Sequence, residues 1–236
     1  MDIKFDLHTH TIASGHAFST LKENAEEAAK KRLTAMGMSE HGPAMPGACD
    51  PIYFGNYKAV GRELLGVEIL KGVEANIINC NGDLDLDPSV LEKMDYVIAS
   101  LHVPCIARGT ARENTDALVG AMRNPYVKII GHPDDDRFPL EYERLVLEAE
   151  RRDVLLEVNN ASFKPCSGRQ NATANALNWL RLARERRLPV VMGSDAHIFC
   201  DVGNVCGCIE VLEQAEYPRE LILNFREDGL ERVLDR

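Results

Sequence analysis

The stretch "MDYVIASLH" (residues 94–102) is followed by "NTDALVGAMR" (114–123) and then by "VKIIGHP" (127–133). The first and third segments are short, β-branched and apolar, the composition of strands covered on both faces. The middle segment has the composition of a helix. A strand, a crossover helix and a second strand make a parallel βαβ unit. Both strands also end alike, in a histidine with a proline close behind (His102 and Pro104, His132 and Pro133).

The same alternation extends in both directions. On the N-terminal side lie strand "IKFDL" (3–7), helix "LKENAEEAAKKR" (21–32), strand "LTAMGMSEH" (33–41), a helical stretch near 56–66 and strand "VEILKGVEANI" (67–77). Ser19 or Thr20 is available to cap the first helix, and Gly37 weakens the second strand. On the C-terminal side lie helix 140–153, strand "VLLEVNN" (154–160), helix 171–187 with the single tryptophan, Trp179, and strand "PVVMGSDAH" (189–197). Segments 202–215 and 218–225 close the chain as helices. About seven βα units in a chain of 236 residues favour a closed α/β barrel over an open sheet. No linker, low-complexity segment or fixed repeat interrupts residues 1–236, so one domain is expected.

Composition narrows the function. The chain is 45% hydrophobic and 27% charged, with a net charge of -10. That acidity argues against a groove built to neutralise many phosphates of a nucleic acid. No apolar run reaches membrane-spanning length, and the first strand leaves no room for a presequence. A cytoplasmic protein is expected. The seven cysteines, an odd number without a CxxC, read as free thiols.

The histidines carry the chemistry. There are seven: His8, His10, His16, His41, His102, His132 and His197. Each falls at, or just past, the C-terminal end of an expected strand. In an α/β barrel those ends converge on one face, where active sites are built. Imidazole is a common metal ligand. Residues two apart in a strand share a side, so His8 and His10 can reach one centre, and Asp195 and His197 repeat the spacing. Glu74 stands at the end of the third strand, where a carboxylate can bridge two ions. Asp6, two before His8, fits either a member of the site or an acceptor that orients an imidazole from behind. Glu40 should point away, and Glu157 fits either a ligand or a structural carboxylate. Seven histidines, Glu74 and Asp195 are too many for one ion, suit two and accommodate three.

With these residues in view, the chain resembles the PHP superfamily, named for its polymerase and histidinol-phosphatase members, and within it the YcdX-like bacterial phosphatases. The motifs are "DLHTHTIASGHAFSTL", "SEHGP", "GVEANI", "LHVP", "GHP", "EVNNASF" and "GSDAH", spread over nearly the whole chain. The resemblance implies a distorted (β/α)7 TIM-like barrel with three divalent ions, zinc first, with manganese or iron as alternatives. It implies that His8, His10, Glu74 and Asp195 hold one ion. Glu74, His102 and His132 hold a second, and His16, His41 and His197 a third. Relatives that assemble leave an oligomer open. The loops after His102 and His132 depart from the family pattern, which leaves the substrate unnamed.

Such a cluster suits hydrolysis of small phosphomonoesters by attack of metal-bound hydroxide on phosphorus. Glu74, Asp195 and His197 form the expected catalytic centre. Arg108, Arg169 and Asn159 are candidate substrate contacts, with Arg112, Lys164, Asn160 and Ser162 as further loop candidates. The run Asp134 to Asp136 reads as a solvated loop or helix cap. Competing readings are a histidinol-phosphate phosphatase, a phosphodiesterase or nuclease, and a non-catalytic metal-binding module. Amidohydrolases also open with HxH, but Lys71 has the wrong parity for their bridging lysine.

Overall fold

The computed structural model describes residues 3–235. Eight strands form one sheet: β1 (Phe5–Asp6), β2 (Ala35–Met38), β3 (Glu63–Leu64), β4 (Val67–Asn76), β5 (Tyr96–Ser100), β6 (Val127–Ile130), β7 (Leu155–Asn159) and β8 (Val190–Gly193). Seven of them run parallel in the order β1-β2-β4-β5-β6-β7-β8, and β3 pairs antiparallel with the start of β4. The sheet curls into a nearly closed barrel. At its upper rim a parallel bridge joins Thr9 to Ala196, with the His10 amide donating to the Ala196 carbonyl at 2.9 Å. Lower down, buried Asn224 spans the gap between β1 and β8. Its Nδ2 donates to the carbonyls of Phe5 (3.1 Å) and Met192 (2.9 Å), and its Oδ1 accepts from the Met192 amide at 2.6 Å. One side chain thus replaces ladder bonds that two diverging strands cannot make.

The connecting helices include α1 (Leu21–Lys30), α4 (Ala111–Ala121), α5 (Tyr142–Arg152), α6 (Ala172–Glu185) and α7 (Cys206–Gln214), with shorter α2 (Ile52–Gly55), α3 (Pro88–Leu91) and α8 (Gly229–Leu234). Thr20 caps α1 and Thr110 caps α4, each in a reciprocal capping box with a glutamate three residues on (Glu23, Glu113). The second box starts α4 ahead of the segment 114–123 expected from composition.

Two expected helices are absent. Around 56–66, α2 and a 3-10 turn at Tyr57–Ala59 lead into β3 instead. Leu65 (φ 56°) and Gly66 (φ 79°) form the two-residue turn between β3 and β4, with positive φ at both positions as a type I′ hairpin requires. Residues 218–225 make two 3-10 turns, because Ile222 bridges to Val190 and Asn224 is drawn into the barrel gap. No helix among the described residues is long and apolar enough to cross a membrane.

A large apolar layer packs the helices on the sheet and includes fully buried Trp179. A second cluster fills the lumen: Phe5, Leu7, Ala35, Leu70, Tyr96, Ile98, Ile129, Leu155 and Val191, closed below by Leu223 and Val233. Tyr96 lies across this lumen and donates from its hydroxyl to the Leu7 carbonyl at 2.6 Å. A Cβ at Gly37 would lie 1.9 Å from that hydroxyl oxygen, and one at Gly72 2.2 Å from the ring carbon bearing it. These glycines therefore make room for the ring, which explains Gly37 inside an otherwise apolar strand. Above the ring the lumen turns polar.

Candidate metal centre

The histidines, Glu74 and Asp195 gather at the C-terminal ends of the parallel strands. Glu74, fully buried near the end of β4, is their centre. Its Oε1 lies 2.9 Å from His132 Nε2 and 3.3 Å from His102 Nε2. Its Oε2 lies 2.8 Å from His41 Nδ1, 3.3 Å from His8 Nε2 and 3.5 Å from His10 Nε2. Asp195 Oδ1 stands 3.3 Å from His10 Nε2, 3.6 Å from His8 Nε2 and 3.4 Å from His197 Nδ1. His16 joins from the loop after β1, with its Nε2 3.0 Å from His197 Nε2. Three compact triads emerge: His8, His10 and Glu74; His41, Glu74 and His102; His10, His41 and His197.

Several imidazoles are fixed from behind, leaving one nitrogen for the centre. His8 Nδ1 is bonded to Glu157 Oε1 at 2.7 Å. Glu157 also accepts, on Oε2, from the His132 amide and from Asn159 Nδ2, both at 3.0 Å. His10 Nδ1 contacts Ser14 Oγ at 3.0 Å, and Ser14 donates to Glu40 at 2.6 Å, so the serine oxygen is free to accept from the imidazole. His102 Nδ1 is bonded to Asn76 Oδ1 at 2.7 Å, and Asp85 accepts from the Asn76 backbone amide at 2.9 Å. Each partner holds the proton on Nδ1 and turns the Nε2 lone pair inward, the arrangement that metal-binding histidines require.

His8 Nε2, His10 Nε2, His41 Nδ1 and Glu74 Oε2 are buried without a hydrogen bond. Four such atoms facing one space carry a desolvation cost that divalent ions in that space would remove. Electrostatics agree with that reading. Burial pushes the Glu74 carboxyl up, but the imidazoles of His8, His102 and His41 outweigh it and hold the group well below the usual range. Burial, with like charge from His41 and His197, holds His10 well below its ordinary value, and burial brings His102 down to about 4. Neutral His10 and His102 beside ionised Glu74 are the protonation states of a ligand set. At His8, burial is outweighed by the carboxylates of Glu157, Glu74 and Asp195, which hold the imidazole well above its ordinary value, with a proton that a bound ion would displace. The residues present therefore fit a divalent-metal site, and imidazole with carboxylate suits zinc and also manganese or iron.

The other expected site residues divide. Arg169 and Asn159 are at the centre: Arg169 donates to Asp195 Oδ2 (2.9 Å), Asn159 Oδ1 (2.9 Å) and Ser162 Oγ (3.1 Å). Arg108 is exposed on the loop after β5 and has no hydrogen bond or ion pair to the cluster. Lys164 pairs with Asp201 at 2.7 Å, away from the centre. Glu40 points away from it, accepting from Thr11 and Ser14. Two expectations need correction. Asp6 orients no imidazole; it accepts from the backbone amides of His8, Ser194 and Gly203 and so ties β1 to the loop after β8. Asp134 and Asp135 are buried rather than solvated. Asp134 accepts from Ser162 at 2.9 Å, and burial, opposed by Arg169, raises its carboxyl to about 6. Sequence reading also missed Ser14, Asn76 and Asp85; "EH" and "HxH" point to ligands, whereas these partners act across the fold.

The seven-strand barrel and its polar crown of histidines place the chain among the metal-dependent α/β barrels. More particularly, it belongs to the PHP family: the PHP domain profile matches residues 6–165, and the PHP-associated profile matches 174–216. Strand β8 lies in the second matched region and completes the sheet begun in the first. The chain is 42% identical over 230 residues to a probable phosphatase of Clostridium novyi, covering 98% of this chain and 93% of that one. It is 45% identical over 230 residues to a probable phosphatase of Caldanaerobacter subterraneus, with 97% and 90% covered. Among solved structures it is similar to the histidinol phosphate phosphatase of Lactococcus lactis, solved with zinc, L-histidinol and phosphate. That match has a TM-score of 0.60 at 17% identity and covers 91% of this chain and 94% of that one.

Proposed function

We propose that this chain is a metal-dependent phosphatase that hydrolyses small phosphomonoesters at a trinuclear centre. The ligands are His8, His10, His16, His41, Glu74, His102, His132, Asp195 and His197, and the whole chain acts as one catalytic domain in the cytoplasm. The observation that carries this reading is the set of buried imidazole and carboxylate atoms that face one another without hydrogen bonds. Divalent ions held there supply an acidified water and a positive field for a phosphate dianion.

The protein's part is to hold and orient. Glu74 offers Oε1 to the side of His102 and His132, and Oε2 to the side of His8, His10 and His41. With ions held there, Glu74 would be shared between the two sides of the centre. Asp195 offers Oδ1 to the centre while Arg169 occupies its Oδ2, which fixes the carboxylate plane. Arg169 lines the centre from the β7 side and is assigned as a contact of the phosphoryl group, whereas Asn159 is fully buried with its amide committed to Glu157, Asp195 and Arg169 and is assigned to positioning them. Arg108, exposed on the loop after β5, makes no hydrogen bond or ion pair with the cluster and is assigned no substrate role. The relatives named as probable phosphatases support the reaction class.

The test is stoichiometry together with turnover. Protein stripped of metal and reloaded with zinc should carry about three equivalents by elemental analysis and hydrolyse p-nitrophenyl phosphate; these follow from the ligand count. Retention of a single equivalent would remove the trinuclear assignment. Faster cleavage of bis-p-nitrophenyl phosphate would move the reading to a phosphodiesterase.

A further inference from the structure

Burial across the cluster is graded, and the gradient gives the site a direction. Glu74 and His10 are fully enclosed, the His102 side chain is 12% exposed, His197 is 31% exposed, and His16 is exposed. The opening is therefore on the His16 and His197 side. Whatever is attached to a phosphoryl group held at the centre must leave between the loop after β1 and the loop after β8.

Those two loops have an unusual surface. Residues 11–20 and 196–200 contain no Asp, Glu, Lys or Arg, in a chain that is 27% charged. They instead present Ile12 (61% exposed), Phe18 (78%), Ile198 (38%) and Phe199 (41%) to solvent. Large apolar side chains left in water on a folded chain commonly mark a binding surface. The loops are also fastened to each other. The Phe18 amide donates to the His197 carbonyl at 2.8 Å, and the Phe199 amide to Ser19 Oγ at 2.7 Å. The apolar groups are thus mounted on the same rigid frame as the two outermost imidazoles. The lysines beside the frame are engaged: Lys31 donates to the Cys200 carbonyl at 3.0 Å and pairs with Glu27 at 3.4 Å, and Lys164 pairs with Asp201 at 2.7 Å.

We infer that the rim carried by Ile12, Phe18, Ile198 and Phe199 receives the alcohol part of the substrate, and that this alcohol is apolar or aromatic. The inference rests on the phosphatase reading and narrows it. A second phosphate or a carboxylate on the alcohol would meet no counter-charge on these two loops, whereas an alkyl chain or ring would cover side chains now in water. Specificity then divides between a charged centre that takes the phosphoryl group and an apolar lip that selects what it is attached to.

The experiment uses the zinc-loaded protein and a series of methyl, propyl, hexyl and 2-phenylethyl phosphates, followed by phosphate release. Calorimetry with the matching alkylphosphonates runs in parallel. From methyl to hexyl, kcat/KM and phosphonate affinity should both rise at least about tenfold, roughly a third of the effect of fully burying the added methylenes. Phe18→Ser and Phe199→Ser should flatten that slope, with melting temperature and metal content measured to show that the fold is intact. Equal kcat/KM and equal phosphonate affinity along the series would overturn the inference while leaving the phosphatase reading in place, and would assign the rim to a macromolecular partner. Chain-length-dependent phosphonate binding without hydrolysis of any ester would do the reverse. A rising slope that neither serine variant flattens would also overturn it, since the selecting surface would then lie elsewhere.

Discussion

Glu157→Gln is the most informative single substitution, because it keeps the shape of the side chain and removes one acceptor. Three donors converge on the carboxylate: His8 Nδ1 on Oε1, and the His132 amide and Asn159 Nδ2 on Oε2. A glutamine has one oxygen and one NH2. If the NH2 faces His8, the imidazole must accept there and carry its proton on Nε2, the atom aimed at Glu74 and Asp195. The lone pair needed for a metal is then lost. If the NH2 faces the other way, it opposes a backbone amide that cannot reverse. Asn159 cannot turn over to compensate, because its Oδ1 already accepts from Arg169 at 2.9 Å. The first orientation costs the Nε2 lone pair and the second leaves the His132 amide unsatisfied, a cost of about 1–3 kcal/mol. That cost corresponds to roughly 5- to 150-fold in metal affinity, which spans the range usual for outer-shell partners of ligating histidines. Competition titration against a chromophoric chelator measures it, with circular dichroism of the metal-free protein as the control for folding. Wild-type affinity in a correctly folded Glu157→Gln protein would refute the argument that Glu157 sets the His8 tautomer.

Three further outcomes follow from neighbouring geometry. Gly193→Ala should reproduce the Glu157→Gln phenotype without altering the carboxylate, since a Cβ there would lie 2.0 Å from Glu157 Oε1 and 2.8 Å from His8 Cβ; the chelator titration reads it, and unchanged affinity would show that the carboxylate can move freely. Glu40→Gln should be far milder, within about threefold in metal affinity, because the Thr11 hydroxyl bonded to Glu40 at 2.7 Å can reverse its role. Glu40→Ala removes the acceptor of Ser14 and should cost about 10–100-fold; equal behaviour of the two variants would exclude the relay to His10. Thiol labelling at neutral pH, followed by intact mass, should modify Cys80, Cys166, Cys200 and Cys206 quickly, since these are exposed. Cys208 should react only on unfolding: burial pushes its thiol well up, and its sulfur donates to the Val158 carbonyl at 3.1 Å.

The parts of this fold legible in the sequence were those with a local cause. Strands buried on both faces read as apolar runs, and Thr20 reads as a cap for α1; the box at Thr110 starts α4 ahead of where composition alone places it. The histidines were legible because all of them fall at strand ends, a pattern that is rarely accidental in a barrel. What escaped depends on distant residues. Asp134 sits in an acidic run that reads as solvated, and only the approach of Arg169 and Ser162 makes its burial tolerable. Glu157 fits two roles equally in the sequence, and only the fold brings His8, 149 residues away, onto one of its oxygens. The β3 hairpin turns at Leu65, a residue type with little tendency to adopt positive φ, so no Asn-Gly or Asp-Gly signal was present. Residues 218–225 look helical in isolation, but the gap between β1 and β8 claims Asn224.

The site also departs from the simple rule that led to it. Alternation along β6 directs Ile129 into the lumen and brings Gly131 against Ser100 Oγ, so the next residue, His132, should face the helices. It does not, because its φ is +31° and the chain turns the side chain inward toward Glu74. Asp195 likewise has φ +53°. Such backbone costs about 1–2 kcal/mol per non-glycine residue, and it persists where neighbours over-determine it. Here the Glu157 carboxylate holds the His132 amide, and Asn159 and Arg169 hold the Asp195 carboxylate. The residues behind the ligands thus have two tasks, fixing imidazole tautomers and holding strained backbone in place. That is why a barrel of ordinary apolar strands carries so dense a polar network at one end.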